Sequence, residues 1–356
     1  MKNICISTFC YWSNYGSIFQ AIGLKRTLDN LGFSSFIVQD EPKDKAAPAK
    51  NFPSIKALLS KQGIRHLHTY LIRNKTEKLY LSSQKLIDDN LNLIYFNNYD
   101  ELKKSPPAAD FYLAGSDQIW NPRRCLPVCF LDFAPVNSPK LSYSASMGVA
   151  DLPNEKRNIF TQYIESFDSL SVREKDNAEL IKTVTGRDCE VHIDPSLLLS
   201  VEEWREYEEQ RDVKEPYILV YVLYWNRKYN KELKKLKKDT GCRVIVVSST
   251  LRPIFSDETL YDVTPGEFLW LMDHASYVVT SSFHGVALSI LFNKQFATVI
   301  NSTAPSRIVN ILEVLSVKKR GIIELTKRPI DFTQTNKIIE QERIRGKEYL
   351  STILDA

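Results

Sequence analysis

The sequence predicts an α/β protein of two doubly wound, Rossmann-like domains that face one another across a cleft. Three observations predict it. Short apolar, β-branched runs alternate with helix-period segments along most of the 356 residues, the pattern of successive βα units in a parallel sheet. Small polar clusters follow directly on several of those runs, where strands of an open parallel sheet deliver ligand-binding residues. The charged stretch 211–216 closes on Pro216 and separates two sets of units, and the length suffices for two cores. The expected division is 1–210, with a helical insertion near 54–92, then 211–335, then a C-terminal helix over 336–356 that packs back across the domains.

The first unit reads as a strand to Thr8, a polar loop from Cys10 to Gly16 and a helix through Leu31. In that helix Ile18, Ala21, Ile22, Lys25 and Leu28 follow helical spacing, and Gly32 is a natural C-terminal cap. A strand over Ser35–Val38 then implies a right-handed parallel crossover. Pro42–Pro53 is charged, rich in Ala and Pro and without period, so an exposed loop is expected. Leucines from Leu58 to Leu91 give the basic stretch that follows its helical faces. Further strands are expected at Asp110–Ala114, Lys140–Ala145, Ser169–Val172 and Val191–Ile193, with a helix over Asn154–Phe167. Ser200 and Glu203 ahead of Trp204 form a capping box, and Asp194-Pro195 reads as a structural strand end.

The second set opens with a strand over Tyr217–Tyr224, followed by a Lys-rich helix, a strand over Arg243–Val247 and a helix started by Thr264-Pro265. Tyr277–Phe296 is then strand, tight turn, helix and strand. Phe296–Ile300 continues the strand, Ser306–Leu315 is a helix with Arg307 in its first turn, and Asn336–Leu354 is an amphipathic helix.

Composition narrows the function classes. Apolar content of 43% with 25% charged residues is ordinary for a globular chain. The net charge is +4, and the basic run Lys231–Asp239 carries Leu233 and Leu236 at helical spacing, so it reads as a solvated helix face and no nucleic-acid footprint is seen. Six scattered cysteines, with only a lone C-x3-C at Cys125 and Cys129, predict reduced thiols and no metal. The opening residues read as a strand and not as a secretory signal, and no apolar run approaches the roughly 20 residues of a membrane span, so work in the cytoplasm is expected.

The polar clusters are the candidate sites. Ser281, Ser282, Phe283, His284 and Gly285 lie between a buried strand and a buried helix, where free backbone N–H groups, hydroxyls and an imidazole suit an anion; Ser281 or Ser282 as a plain N-cap is the alternative. The loop that includes Asn14, Tyr15, Gly16 and Ser17 is either an anion cradle or an ordinary βα turn capped by Ser17. Asp117, Gln118 and Asn121 follow an apolar strand, although Asp117 and Asn121 also suit a turn. Arg173 ends another strand and is placed to hold a carboxylate or phosphate bidentately, or to pair with Glu174 or Asp176.

Several stretches together resemble the polysaccharide pyruvyltransferase family: NYGSIFQAIGLKRTLDNLGF at 14–33, GSDQIWNP at 115–122, SVREKDNAELI at 171–181, DPSLLLSVEEW at 194–204 and TSSFHGVALSILFNKQF at 280–296, with SRIVNILEVL at 306–315 like the family's closing helix. The resemblance implies a fold like that of the GT-B glycosyltransferases and transfer of pyruvyl from phosphoenolpyruvate to two hydroxyls of a sugar, giving a cyclic ketal and phosphate. It implies that His284 is the motif histidine, acting as general acid or binding phosphate as imidazolium, and that Arg173 is the motif arginine. Asp117 would contact the acceptor or serve as base. Ser282, Phe283, Gly285 and Arg307 would complete the donor site, and Asn14, Tyr15, Gly16, Ser17, Gln118 and Asn121 an acceptor or phosphate loop.

Where members often carry arginine two residues before the histidine, this chain has Ser282, and Arg307 or a lysine would supply the charge. No cofactor or metal is expected beyond phosphoenolpyruvate as donor. A sugar or lipid-linked oligosaccharide is the expected acceptor, met by peripheral contact at the inner face of the membrane. Two other readings fit the same fold: a GT-B glycosyltransferase using a nucleotide sugar, and a non-catalytic glycan- or anion-binding relative.

Overall fold

The computed structural model describes residues 2–43, 73–149, 151–214, 216–248, 253–299 and 306–355. The loop expected at Pro42–Pro53 and the first part of the helical insertion lie almost wholly outside them. Apolar runs without alternation become strands buried on both faces, as parallel sheets require. The first sheet is wholly parallel and ordered β3-β2-β1-β4-β5, from β1 (Asn3–Ser7), β2 (Ser34–Gln39), β3 (Leu93–Tyr95), β4 (Phe111–Ala114) and β5 (Lys140–Ser142). A two-stranded pair, β6 (Ser171–Val172) and β7 (Glu190–Val191), continues it through the bridge Leu141–Ser169. The second sheet, also parallel, is ordered β10-β9-β8-β11-β12, from β8 (Tyr217–Tyr221), β9 (Arg243–Val247), β10 (Glu258–Leu260), β11 (Tyr277–Thr280) and β12 (Gln295–Thr298).

In each sheet the strand order reverses beside the opening strand: β1 lies between β2 and β4, and β8 between β9 and β11. Ligands of open α/β sheets bind outside the carboxyl ends of strands at such a switch point. The four segments leaving β1, β4, β8 and β11 are therefore the ones to follow.

The helices take their ends from local chemistry. Helix α1 (Tyr15–Asn30) starts on Asn14, whose side chain accepts from the Ser17 N–H. Helices α2 (Arg73–Asn90), α3 (Tyr99–Lys104), α4 (Arg157–Glu165) and α5 (Lys175–Thr185) complete the first half. The expected capping box forms at Ser200–Glu203, opening α6 (Val201–Arg205); after α7 (Tyr229–Thr240), the helix start expected at Thr264-Pro265 opens α8 (Pro265–His274) and carries a second capping box, Thr264–Glu267. The remaining helices are α9 (Phe283–Leu291), α10 (Ser306–Val314) and α11 (Thr333–Asp355).

Tertiary contacts tie the halves together. The Tyr15 hydroxyl donates to the Val263 carbonyl at 2.7 Å, and its ring stacks on Phe268 with centroids 4.4 Å apart. Helix α11 returns to the first half, where Arg343 donates to the carbonyls of Leu197 and Leu199 and the Tyr349 hydroxyl to that of Ser142.

Three expectations are corrected. Tyr15, Gly16 and Ser17 are the first turn of α1 and not a loop, because Asn14 and not Ser17 caps the helix. The strand expected at Lys140–Ala145 ends at Ser142, since Ser144 takes a left-handed φ of 51° that breaks the ladder. Strands β3 and β10 and helix α3 were not expected; the strands are three residues each and edge-placed, too short to show a period.

Candidate functional site

The turn after β11 is shaped by Thr280, whose hydroxyl donates to the Tyr221 carbonyl at 2.7 Å and accepts from the Ser282 N–H at 3.1 Å. A Cβ on Gly285 would stand 2.2 Å from that hydroxyl oxygen, so only glycine lets α9 start here. Ser282 is the N-cap, accepting from the Gly285 N–H at 3.4 Å. The chain thus delivers His284 in the first turn of α9, buried at 7% exposure. From the other half, the first turn of α1 closes on the imidazole, and a Cβ on Gly16 would lie 2.0 Å from His284 Nδ1.

Beneath His284 lies a buried ion cluster. Asp194 Oδ2 is 3.6 Å from His284 Nε2, accepts from Arg173 Nη1 at 2.6 Å and from the Ser116 hydroxyl at 3.1 Å. Its Oδ1 accepts from the N–H and hydroxyl of Ser196. Burial alone would push this carboxyl up, but His284, Arg173 and Ser196 hold it well below the usual carboxylate range. Arg173 also donates through Nε to Glu174 at 3.0 Å, and its guanidinium carbon lies 4.0 Å from the Phe283 ring centroid. Burial opposes its charge, and Glu174 and Asp194 more than offset that, so it stays a cation. Arg173 Nη2, Glu174 Oε2 and His284 Nε2 have no hydrogen-bond partner, an expensive arrangement in a native interior unless something else occupies the space.

Arg307, in the first turn of α10, is lowered from the usual guanidinium value by burial first and by Arg173 second, against the pull of Asp117. With its amide oxygen facing the guanidinium, Gln118 accepts from Arg307 Nη1 at 2.8 Å and Nη2 at 3.1 Å. Asp117 holds a left-handed φ of 67° and accepts from the Gln118 N–H. A non-glycine residue kept in that region marks a turn that the surroundings determine.

Two cavities meet at this cluster. A cleft of about 400 Å³ is lined from β1 by Phe9, Tyr11 and Asn14, from β4 by Asp117, Gln118, Asn121 and Arg124, from β8 by Leu223 and Tyr224, and from β11 by Ser281 to His284. A second cavity of about 280 Å³ is lined by Arg173, Glu174, His192, Asp194 and Arg345 among others, and Phe283 and Arg307 line both. The structure therefore gathers His284, Asp117, Ser282, Phe283, Arg307, Asn14, Gln118 and Asn121 on one cleft. Arg173 reaches that cluster through Asp194 while lining the neighbouring cavity.

Gly285, Tyr15, Gly16 and Ser17 do not line the cleft. Tyr15 and Ser17 are buried and closed on Val263 and Tyr11, and Gly16 packs on the imidazole. Asp194, read as a strand end, was missed as a site residue, although Asp-Pro directly after an apolar run carries the signal that singled out Asp117. Phe9, Tyr11, Leu223 and Tyr224 were also passed over; they follow β1 and β8 and could have been found by the same rule.

Among the described residues, three metal-ligating groups converge only at Glu208, Asp273 and His274, away from this cleft, and there Asp273 already pairs with Arg205 and Lys294. No described helix is long and apolar enough to cross a membrane. The described cysteines are all free thiols.

Solved structures share the architecture over nearly the whole chain. MnaA of S. aureus, solved with UDP, matches at a TM-score of 0.55 and 12% identity, covering 98% of this chain and 97% of that one. A putative UDP-N-acetylglucosamine 2-epimerase from Listeria monocytogenes matches at 0.52 and 10%, covering 96% and 91%. The UDP-GlcNAc 2-epimerase of Neisseria meningitidis bound to UDP-GlcNAc matches at 0.50 and 13%, covering 99% and 94%. At these identities the likeness is one of fold: two Rossmann-like domains in the GT-B arrangement. No curated protein matches the sequence significantly. The family model for polysaccharide pyruvyl transferase matches residues 14–303, from the Asn14 cap through both sheets and the His284 turn. The chain belongs to the polysaccharide pyruvyl transferase family.

Proposed function

We propose that the cleft transfers the pyruvyl group of phosphoenolpyruvate to two hydroxyls of a sugar in a surface polysaccharide or its precursor. The observation that carries this reading is the convergence of His284, Arg307 and, through Asp194, Arg173, with the unpartnered His284 Nε2 and Arg173 Nη2 at the cluster. Phosphoenolpyruvate carries a carboxylate and a phosphate close together, and fixed guanidinium groups and helix N–H donors suit both. Arg307 supplies the charge that Ser282 lacks.

In the reaction, His284 gives a proton to the methylene carbon while the first sugar hydroxyl adds at C2, losing its proton to Asp117. The C2–O bond to phosphate then breaks and the second hydroxyl closes the ketal. The proton of the second hydroxyl leaves on the released phosphate, and the proton held by Asp117 returns to His284, so that the two hydroxyl protons end, net, on the new methyl group and on phosphate. Asp194 orients the imidazole and offsets its positive charge. The membrane-face location expected of a lipid-linked acceptor belongs to the same proposal.

Thermal stabilisation tests the donor. At a hundredfold excess over its dissociation constant, a ligand adds about 2.7 kcal/mol to the native state. Phosphoenolpyruvate should raise the melting temperature of the parent and of His284→Gln, and fail with Arg307→Ala; phosphate release in the presence of acceptor should vanish in His284→Gln. Stabilisation by UDP-sugars alone would move the protein to the glycosyltransferase reading, and a folded His284→Gln that still turns over would remove His284 from the chemistry.

A further inference from the structure

Phosphoenolpyruvate is small and anionic throughout, and it leaves much of a cleft of about 400 Å³ unexplained. The rim is what it does not account for. Among the described residues only two aromatic side chains are strongly exposed, Tyr11 at 41% and Tyr224 at 36%, and both line this cleft. Leu223, 61% exposed, lies beside Tyr224, and Phe9 lies beside Tyr11 with ring centroids 5.3 Å apart. Exposed apolar groups scattered singly need no explanation, but here they gather on both sides of one polar cleft.

Both pairs are held in place by backbone bonds. The Tyr11 N–H donates to the Ser17 hydroxyl, and the Tyr11 carbonyl accepts from the Asn14 N–H at 3.0 Å. On the other side, the Ser281 hydroxyl oxygen accepts from the N–H groups of Leu223 at 2.8 Å and Tyr224 at 3.1 Å. Ser281 belongs to the turn that presents His284, so Tyr224 is fixed relative to the imidazole. Tyr11 is fixed relative to α1, whose Gly16 packs on that same ring. Asn14, Asp117, Asn121 and Arg124 line the same cleft and offer donors and acceptors.

A pyranose ring matches this arrangement. It has hydroxyls around its edge and a patch of C–H groups on its face, and an aromatic ring with a polar tip can cover the face at little conformational cost. We propose that Phe9–Tyr11 and Leu223–Tyr224 form the acceptor subsite, two apolar jaws that hold a hexopyranose face beside these polar groups with its paired hydroxyls toward His284. The proposal rests on the pyruvyl-transfer reading, and the probes separate the two.

Saturation-transfer NMR would be recorded with methyl β-D-glucopyranoside and methyl β-D-galactopyranoside at millimolar concentration. Sorbitol is the control, with comparable hydroxyls and no ring face. Thermal shifts with phosphoenolpyruvate and with UDP would be measured on the same samples. The parent should transfer saturation to the ring C–H protons of at least one glycoside and not to sorbitol. Tyr11→Ala and Tyr224→Ala should each weaken that binding by about two- to tenfold, the worth of one aromatic contact, while Tyr11→Phe and Tyr224→Phe keep it. The shift with phosphoenolpyruvate should persist in all four variants.

Glycoside transfer unchanged in both alanine variants, transfer to sorbitol equal to that on the glycosides, or no transfer in the parent would overturn the subsite. So would loss of a UDP shift in Tyr224→Ala, which would make the rim a nucleobase clamp. Glycoside binding that depends on both tyrosines, without any phosphoenolpyruvate shift, would keep the sugar subsite and remove the donor assignment.

Discussion

Asp194 gathers at one carboxylate the interactions that join the two halves of the cluster. Oδ2 faces Arg173, Ser116 and His284, and Oδ1 is saturated by Ser196, with the side chain fully buried. Replacing it with asparagine leaves Arg173 with Glu174 alone and removes the counter-charge beside the imidazole. Breaking a buried pair from one side costs about 3–5 kcal/mol, so Asp194→Asn should lower the urea midpoint clearly. Loss of imidazole orientation should cut phosphate release by about a hundredfold or more. A folded variant with parental turnover would show that Asp194 only supports the fold. The residue carried the signal of a polar group after an apolar run but was read as a strand end, and its pairing with His284 of the other sheet is one that no local pattern encodes. Arg173 was visible because it directly follows an apolar strand, and His284 because it belongs to a polar cluster between a buried strand and a buried helix. Arg307 was visible only as a first-turn cation, and its pairing with Gln118 crosses the cleft, which spacing does not encode.

Elements carry their own test at the start of α1. The helix was legible from its period and from Gly32, yet its first turn was read as loop, because Tyr15-Gly16-Ser17 looks like turn chemistry and the Asn14 cap competes with Ser17. What Gly16 does is set by packing: the imidazole occupies the place of a side chain. Gly16→Ala should therefore displace His284 or α1. Overpacking of this kind costs about 1–3 kcal/mol, and activity should fall by about a hundredfold for an ångström of misplacement. Gly32→Ala is the contrast. It sits at a φ of 85° with open space around it, so it should cost about 1 kcal/mol of backbone strain and leave turnover unchanged. Thermal midpoints and phosphate release on both variants separate the cases; equal loss of activity would mean that α1 stability, and not its contact with His284, limits the reaction. The edge strands β3 and β10 show the other limit of legibility, since three residues are too few to carry a period.

For the whole molecule, the closing of α11 onto the first half buries a histidine that no sequence pattern singles out. His192 is 1% exposed, its ring 4.5 Å from that of Tyr349 on α11 and 5.7 Å from that of Tyr143, with Nδ1 bonded to the Ser171 hydroxyl. Burial first and Arg345 of α11 second push its pKa down to about 4. The carboxylate near Nε2 is that of Glu190 at 3.4 Å, which is 61% exposed and screened by water, so it offsets little. An unfolded histidine titrates near 6.5 and the native one near 4, so the unfolded chain binds more protons between those values and stability falls as pH drops through that window.

At 1.36 kcal/mol per unit, the loss is about 3 kcal/mol by the lower limit. Asp194 works in a separate window. Its native value is depressed, so the stability it adds is complete above the unfolded carboxylate value of about 3.9 and is lost only as pH falls below that. Urea midpoints taken down the pH scale should therefore fall in two stages in the parent. His192→Gln should flatten the stage between about pH 6.5 and 4 and leave the acid stage, whereas Asp194→Asn should reduce the acid stage, to which the depressed carboxyls of Asp132 and Asp273 also contribute. A parent curve that stays level from neutrality to about pH 4 would mean that α11 opens to let His192 protonate in the native protein, and that the C-terminal helix is not closed on the first half in solution.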